Sequence, residues 1–186
     1  MRTVAALYID PRGPYPKMPG VECWDEARDA RAYPGPHPVV AHPPCGPWSR
    51  LRRFSKHQDS SCATIAVDQV RRWGGVLEHP QCSMLWPHCN LPLPGGFPDR
   101  FGWCVEVDQV AYGHKARKRT WLYVVGVSAL RVRPRSGGTP THCVNSRKRD
   151  THLLELSSEG RRRTPQAFAE FLVEIARQTT GQAGAA

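Results

Sequence analysis

Between Val39 and Pro80 the chain carries the pattern that most restricts its fold. Val39-Val40-Ala41 reads as a short buried strand, and the double proline Pro43-Pro44 ends it. Prolines have no amide hydrogen and a fixed φ, so no strand continues through them. The turn they make is stiff and presents Cys45 at a defined place. A basic loop follows from Arg50 to Asp59. Ser60 or Ser61 then caps a helix predicted to reach about Trp73, with Ile65, Ala66, Val70 and Trp73 on one side. Gly74-Gly75 closes that helix. Val76-Leu77 starts a second short strand that ends in Glu78-His79-Pro80. Strand, loop, helix, strand is a βαβ unit. Cys45 and Glu78 therefore fall at the same carboxyl edge of neighbouring parallel strands, the edge where open α/β sheets bind their ligands.

The flanking segments extend this sheet. Thr3 to Ile9 (TVAALYI) is β-prone and is stopped by Asp10-Pro11, which makes it the first parallel strand. The loop from Pro11 to Gly20 has too many prolines to hold a helix. Val21 to Trp24 reads as a second short strand, and Asp25 to Tyr33 is polar and compatible with a helix. Gly102 to Val110 alternates like a strand, and Thr120 to Val127 is strongly β-prone. Together they predict a closing β-hairpin with Lys115-Ala-Arg117-Lys118-Arg119 at its tip. Residues 128–160 are polar and basic and receive no firm structure. Thr164-Pro165 opens a last helix as N-cap and first residue, with Phe168, Phe171, Leu172 and Ile175 at helical spacing. Residues 1–177 are predicted to form a single domain of mainly parallel α/β class, and 178–186 a flexible tail.

Composition narrows the class. An apolar fraction of 40% with six Trp argues against disorder. No apolar run approaches the roughly 18 residues of a membrane span. The amino-terminal segment is apolar for only six residues before Asp10-Pro11, which argues against a signal peptide. Seven cysteines at irregular spacing then read as reduced thiols of a cytoplasmic protein. Cys82, His88, Cys89 and Cys104 form a conceivable zinc set, but no C-x2-C pair occurs, and scattered thiols are the favoured reading with no metal expected. The net charge of +10 suggests a polyanionic partner, most simply nucleic acid. The basic residues cluster as Arg50-Leu-Arg52-Arg53, Lys115 to Arg119, Arg147-Lys148-Arg149 and Arg161-Arg162-Arg163.

Pro43-Pro44-Cys45-Gly46-Pro47-Trp48-Ser49 resembles the Pro-Pro-Cys-x-Pro-Phe-Ser motif of DNA cytosine-5 methyltransferases, and more closely small phage-encoded proteins of that type. Leu77-Glu78-His79-Pro80 is similar to the family's Glu-Asn-Val motif, with His79 and Pro80 in place of Asn and Val. Tyr112-Gly113 followed by Lys115-Ala-Arg117-Lys-Arg119 resembles its Gln-x-Arg-x-Arg segment, one residue short, with Lys115 in place of the glutamine. Arg163 to Phe168 and the terminal helix resemble the family's last motif. The resemblance implies a minimal Rossmann-like methyltransferase-type sheet, DNA as substrate, and S-adenosylmethionine as donor. It implies a phage-infected bacterial host. Cys45 would be the nucleophile, Glu78 the contact to the base at N3, and Arg117 and Arg119 the anchors of the base oxygen or the phosphates. Pro44, Ser49, Arg50, Arg52, Arg53 and Lys115 would line the substrate.

The chemistry explains why these residue types belong together. A pyrimidine ring is electron-poor, and a thiolate adding to C6 turns C5 into a nucleophilic, enamine-like carbon. That addition is helped by cations that lower the thiol pKa, for which Arg50, Arg52 and Arg53 just downstream, and the Lys115 to Arg119 knot if it faces them, are the sequence candidates. It also needs an acid at N3, which a partly buried Glu78 could supply by staying protonated or by sharing a proton.

Three features depart from the family. The glycine-rich cofactor loop and its helix are replaced by Ile9-Asp10-Pro11-Arg12-Gly13-Pro14-Tyr15, so Asp10, Gly13, Tyr15, Glu22 and Asp25 are the residues left as cofactor candidates. Only residues 128–160 could stand for a target-recognition domain, a reduction that fits single-stranded DNA or even a free nucleotide. A donor other than S-adenosylmethionine and a non-catalytic nucleic-acid-binding protein on the same fold are the alternatives. An amino-methyltransferase is disfavoured because Cys45 stands where that class has an aromatic residue.

Overall fold

A computed structural model of the chain describes residues 1–49, 52–54, 59–144 and 152–180. Strands β1 (Val4–Leu7), β2 (Val21–Trp24), β3 (Val39–Ala41) and β4 (Gly75–Pro80) pair in parallel. Strands β5 (Gly102–Asp108) and β6 (Arg119–Val125) form an antiparallel hairpin, and β6 also pairs antiparallel with β4. The sheet order is β2-β1-β3-β4-β6-β5. The fold is α/β, with a six-stranded, mostly parallel sheet and helices on both faces.

The inner strands are apolar along their whole length because both of their faces are covered. Helix α1 (Ser61–Trp73) packs on β3 and β4 from one side, and α4 (Gln166–Arg177) packs on β1, β3 and β4 from the other. Ala66 and Val70 of α1 join Ala41, Leu77 and Tyr123 in one core. Phe168 and Leu172 of α4 join Val40, Val76 and Leu122 in the second. Each such fully buried large side chain contributes roughly 2 kcal/mol. Gly75 is required where β3 meets β4. Its φ is +112°, and a Cβ there would stand 2.0 Å from the Val39 carbonyl oxygen.

The strand, helix and hairpin predictions hold with shifts of one to three residues at their ends. The first strand stops at Leu7, because Tyr8 turns to a φ of 59°. The last helix begins at Gln166 with Pro165 as its N-cap. Asp25 to Tyr33 is a correction, since only a 3-10 turn forms there, at Ala30–Ala32. The Asp25 and Asp29 carboxylates accept from the Arg28 and Arg31 amides, and such local bonds compete with a helix. Residues 128–160 contain a two-stranded ladder, β7 (His142–Cys143) with β8 (Leu154–Glu155), and the short helix α3 (Ser158–Arg162). Gln178 to Thr180 do not fray. Thr179 is buried and its carbonyl accepts from Arg2, while the Thr180 amide donates to the Gly126 carbonyl. Positions 181–186 lie outside the described residues. No helix among the described residues is long and apolar enough to cross a membrane.

Strands β1, β3 and β4 end, β5 ends and β6 begins at one edge of the sheet. The loops after β1, β3 and β4 and the β5–β6 connection are thereby gathered in one place.

Candidate active site

The Pro-Pro-Cys segment is anchored as its sequence suggests. Pro43 is buried and Pro44 exposed, and Cys45 caps a 3-10 turn at Gly46–Trp48. Trp48 is buried and packs on His88 with ring centroids 4.8 Å apart. Its carbonyl accepts from the Met84 amide at 2.9 Å. The turn is therefore fixed from two sides, and the exposed Cys45 is presented beyond β3.

Strand periodicity places its partners. Val40 and Val76 are paired in register and point into the α4-side core. Side chains alternate along a strand, so His42 and Glu78, two residues further on, stand side by side on that same face. His42 Nδ1 lies 3.1 Å from Glu78 Oε2, and His42 Nε2 lies 2.5 Å from the Tyr15 hydroxyl. On its other side Glu78 Oε1 accepts from Gln109 Nε2 at 3.1 Å, and that amide also donates to Thr120 Oγ1. Five side chains from five segments thus form one buried polar column: Tyr15, His42, Glu78, Gln109 and Thr120. His79 points to the opposite face, where it is fully buried, bonds Ser83 Oγ at 2.7 Å and stacks on Trp86.

The electrostatics correct two expectations. Burial alone would raise the Glu78 carboxyl, but the Lys118 charge and the His42 hydrogen bond outweigh it and hold it at about 2. Glu78 is therefore a carboxylate at rest, not the protonated acid that its apolar neighbours suggest. The Cys45 thiol is pushed up, first by loss of water around the sulfur and then by the Glu78 charge. The cation that pulls it back is Lys118, from the second basic cluster.

Alkylation tests this balance. Iodoacetamide should modify Cys45 at neutral pH more slowly than a cysteine in an unstructured peptide. The rate, followed by peptide mass spectrometry, should keep rising beyond pH 9, the ordinary thiol value. Lys118→Met should slow it several-fold and Glu78→Gln should speed it several-fold. Equal rates in the parent and Lys118→Met would remove Lys118 from the site.

The other sequence candidates divide. Arg117 is exposed and pairs with Asp108 at 3.3 Å, and Arg119 is exposed at the first position of β6. Lys118, between them in sequence, shares the strand parity of Thr120 and Leu122, and its charge is the one that acts on Glu78 and Cys45. Arg52, Arg53 and Lys115 are exposed and Ser49 half-buried. Arg50 and the Arg147-Lys148-Arg149 knot lie outside the described residues. Among the described residues no three His, Cys, Asp or Glu side chains are grouped as a metal ion requires.

The residues offered for S-adenosylmethionine do not fit it. Tyr15 is buried and bonded to His42. Glu22 accepts from Trp24 Nε1 and pairs with Arg28 at 2.7 Å. Asp25 accepts from the Arg28 amide, and Asp10 pairs with Arg12. Gly13 closes a tight turn in which an added Cβ would stand 3.0 Å from the Asp10 carbonyl oxygen, with no helix N-terminus behind it.

Sequence reasoning missed His42, Gln109, Lys118 and Thr120. His42 was recoverable from strand alternation, two residues after Val40. Lys118 was recoverable from the same rule applied backward from Leu122. Gln109 carried no local signal, because its role depends on how the β5–β6 connection folds over β4.

An exposed cysteine and a buried carboxylate just past and at the ends of adjacent parallel strands, both acted on by one lysine, make up the candidate site of this α/β fold. Comparison with known proteins returns no match, neither to a protein-family model nor to a curated protein.

Proposed function

We propose that the chain modifies a pyrimidine, most readily cytosine in single-stranded DNA, at C5 through a covalent Cys45 adduct, on a Rossmann-like domain of the methyltransferase type. The observation that carries this reading is the meeting of Cys45, Glu78 and Lys118 at one sheet edge. The Cys45 thiol loses its proton to water, and the thiolate forms an S–C6 bond. The C5=C6 pair shifts to C4–C5 and the C4=N3 pair moves onto N3, which takes a proton delivered through Glu78. C5 then accepts an electrophile and gives its own hydrogen to water as a proton, the pair of that C–H bond re-forms C5=C6 while the thiolate leaves with the S–C6 pair, and N3 gives its proton back as C4=N3 is restored. Lys118 stabilises the thiolate before attack. The exposed Lys115, Arg117, Arg119 and Arg52 offer charge to a phosphate backbone around this edge. The resemblance implies S-adenosylmethionine as donor, and no step here runs through it.

Water can serve as the electrophile, so the adduct is testable without a donor. The protein should release tritium from a single-stranded oligodeoxynucleotide carrying C5-tritiated cytosine, as adduct formation lets C5 exchange with solvent. Cys45→Ala should abolish release, and Glu78→Gln should slow it by about a hundredfold or more. Undiminished release by Cys45→Ala would overturn the mechanism. The closed loop around Tyr15 favours one second reading, a non-catalytic binder of single-stranded DNA. Salt-sensitive binding of the oligodeoxynucleotide with no tritium release would establish it.

A further inference from the structure

We propose that His42, held by Tyr15, is the proton store that converts Glu78 from carboxylate to acid when a base is bound; this rests on the reading of Cys45 and Glu78 given above. Glu78 at rest can only accept hydrogen bonds, so His42 Nδ1 carries a hydrogen toward it. The outer nitrogen, Nε2, faces the Tyr15 hydroxyl at 2.5 Å. A phenol can donate to a bare Nε2 or accept from an Nε2–H. Tyr15 therefore satisfies His42 in its neutral and its cationic form without moving. Burial holds the Tyr15 phenol well above its ordinary range, so the phenol itself does not ionise. Thr120 and Gln109 fix the far side of the carboxylate, which leaves the His42 side as the route by which a proton enters.

The step balances. Cationic His42 passes its Nδ1 proton to Glu78 Oε2, which leaves a neutral imidazole whose Nε2–H donates to the Tyr15 oxygen. Glu78, now an acid, gives that proton to N3 as the Cys45 thiolate adds to C6. Elimination returns a proton through the carboxylate to His42, or water resupplies it. The charged and titratable groups facing this pair are Lys118, His79 and Cys45 around Glu78, and Cys23 beyond Tyr15. Of these, His79 acts on both members of the pair, but through space and from the opposite face of the sheet. His42 is a positioning residue in this scheme, since it acts on the substrate only through Glu78.

The test uses tritium release from the same single-stranded oligodeoxynucleotide, divided at each pH by the Cys45 thiolate fraction measured from alkylation. His42→Gln still donates an amide hydrogen to Glu78 but stores no proton. It should lower the quotient by about a hundredfold at every pH measured. Tyr15→Phe removes only the hydroxyl and should lower it by about tenfold while the protein stays folded. A His42→Gln profile that matches the parent would overturn the proposal. If the parent releases no tritium, the reading of Cys45 as nucleophile fails, and ring-nitrogen NMR decides on His42 by itself. A slowly exchanging Nδ1–H lost in Glu78→Ala, with an Nε2 signal displaced in Tyr15→Phe, would sustain the coupled pair. Ring nitrogens indifferent to both substitutions would refute it.

Discussion

Glu78→Ala is expected to destabilise the protein by about 3–5 kcal/mol, the cost of breaking a buried charge pair by removing one partner. For a chain of this length that corresponds to a melting temperature lower by roughly 10 °C or more. The loss has a definite origin. His42 Nδ1, Gln109 Nε2 and the Lys118 charge would all face a space that no longer accepts hydrogen bonds. Glu78→Gln keeps the volume and one acceptor and should cost markedly less. Thermal unfolding of the three proteins checks this, and a Glu78→Ala loss under about 1 kcal/mol would mean that water already solvates the site. The pH dependence has a fixed sign. The folded carboxyl lies below its ordinary value of 4.5, so its stabilisation is complete above that value and disappears as pH falls toward 2.

His79 gives a second acid-sensitive step at a higher pH. Burial holds its imidazole at about 4 against an ordinary 6.5, and the neighbouring Glu78 charge only partly opposes this. Between those values the unfolded chain binds a proton that the folded chain refuses. Stability is therefore full above 6.5 and falls as pH drops toward 4, by about 2 kcal/mol at pH 5. His79→Asn should remove this slope, because an amide does not titrate and can still reach Ser83. Urea unfolding at pH 7 and pH 5 separates the two proteins, in a window where Glu78 contributes little. Parallel losses in parent and variant would exclude His79 as the source.

The sheet was legible where strand signals and chain punctuation agreed. Val39-Val40-Ala41 before two prolines, and Gly74-Gly75 before Val76-Leu77, located the central parallel pair and with it Cys45 and Glu78. The Asp25 to Tyr33 segment was misread because its polar composition suits a helix, while its aspartates make local bonds that compete with one. The arginines drew attention away from Lys118 because clusters show in composition, whereas the face of a strand shows only in register. The ionisation of Glu78 could not be read from its apolar neighbours. It is set by Lys118 and His42, 40 and 36 residues away in sequence.

The buried column also constrains how the chain reaches its native state. The bonds that tie Tyr15, His42, Glu78 and Gln109 join residues 27, 36 and 31 positions apart, so only the Gln109–Thr120 bond forms within a single local element. Each of the others closes a long loop, whose entropic cost must be met before the contact exists. A nascent chain that has formed β1 through β4 holds Cys45, His42 and Glu78, but Gln109 and Lys118 arrive only with the hairpin. Until then the carboxylate lacks its cation and the thiol lacks its stabilising charge. The native alkylation rate of Cys45, slower than that of an unstructured thiol, should accordingly be reached late in folding, with the docking of β6 on β4 and not with collapse of the parallel strands.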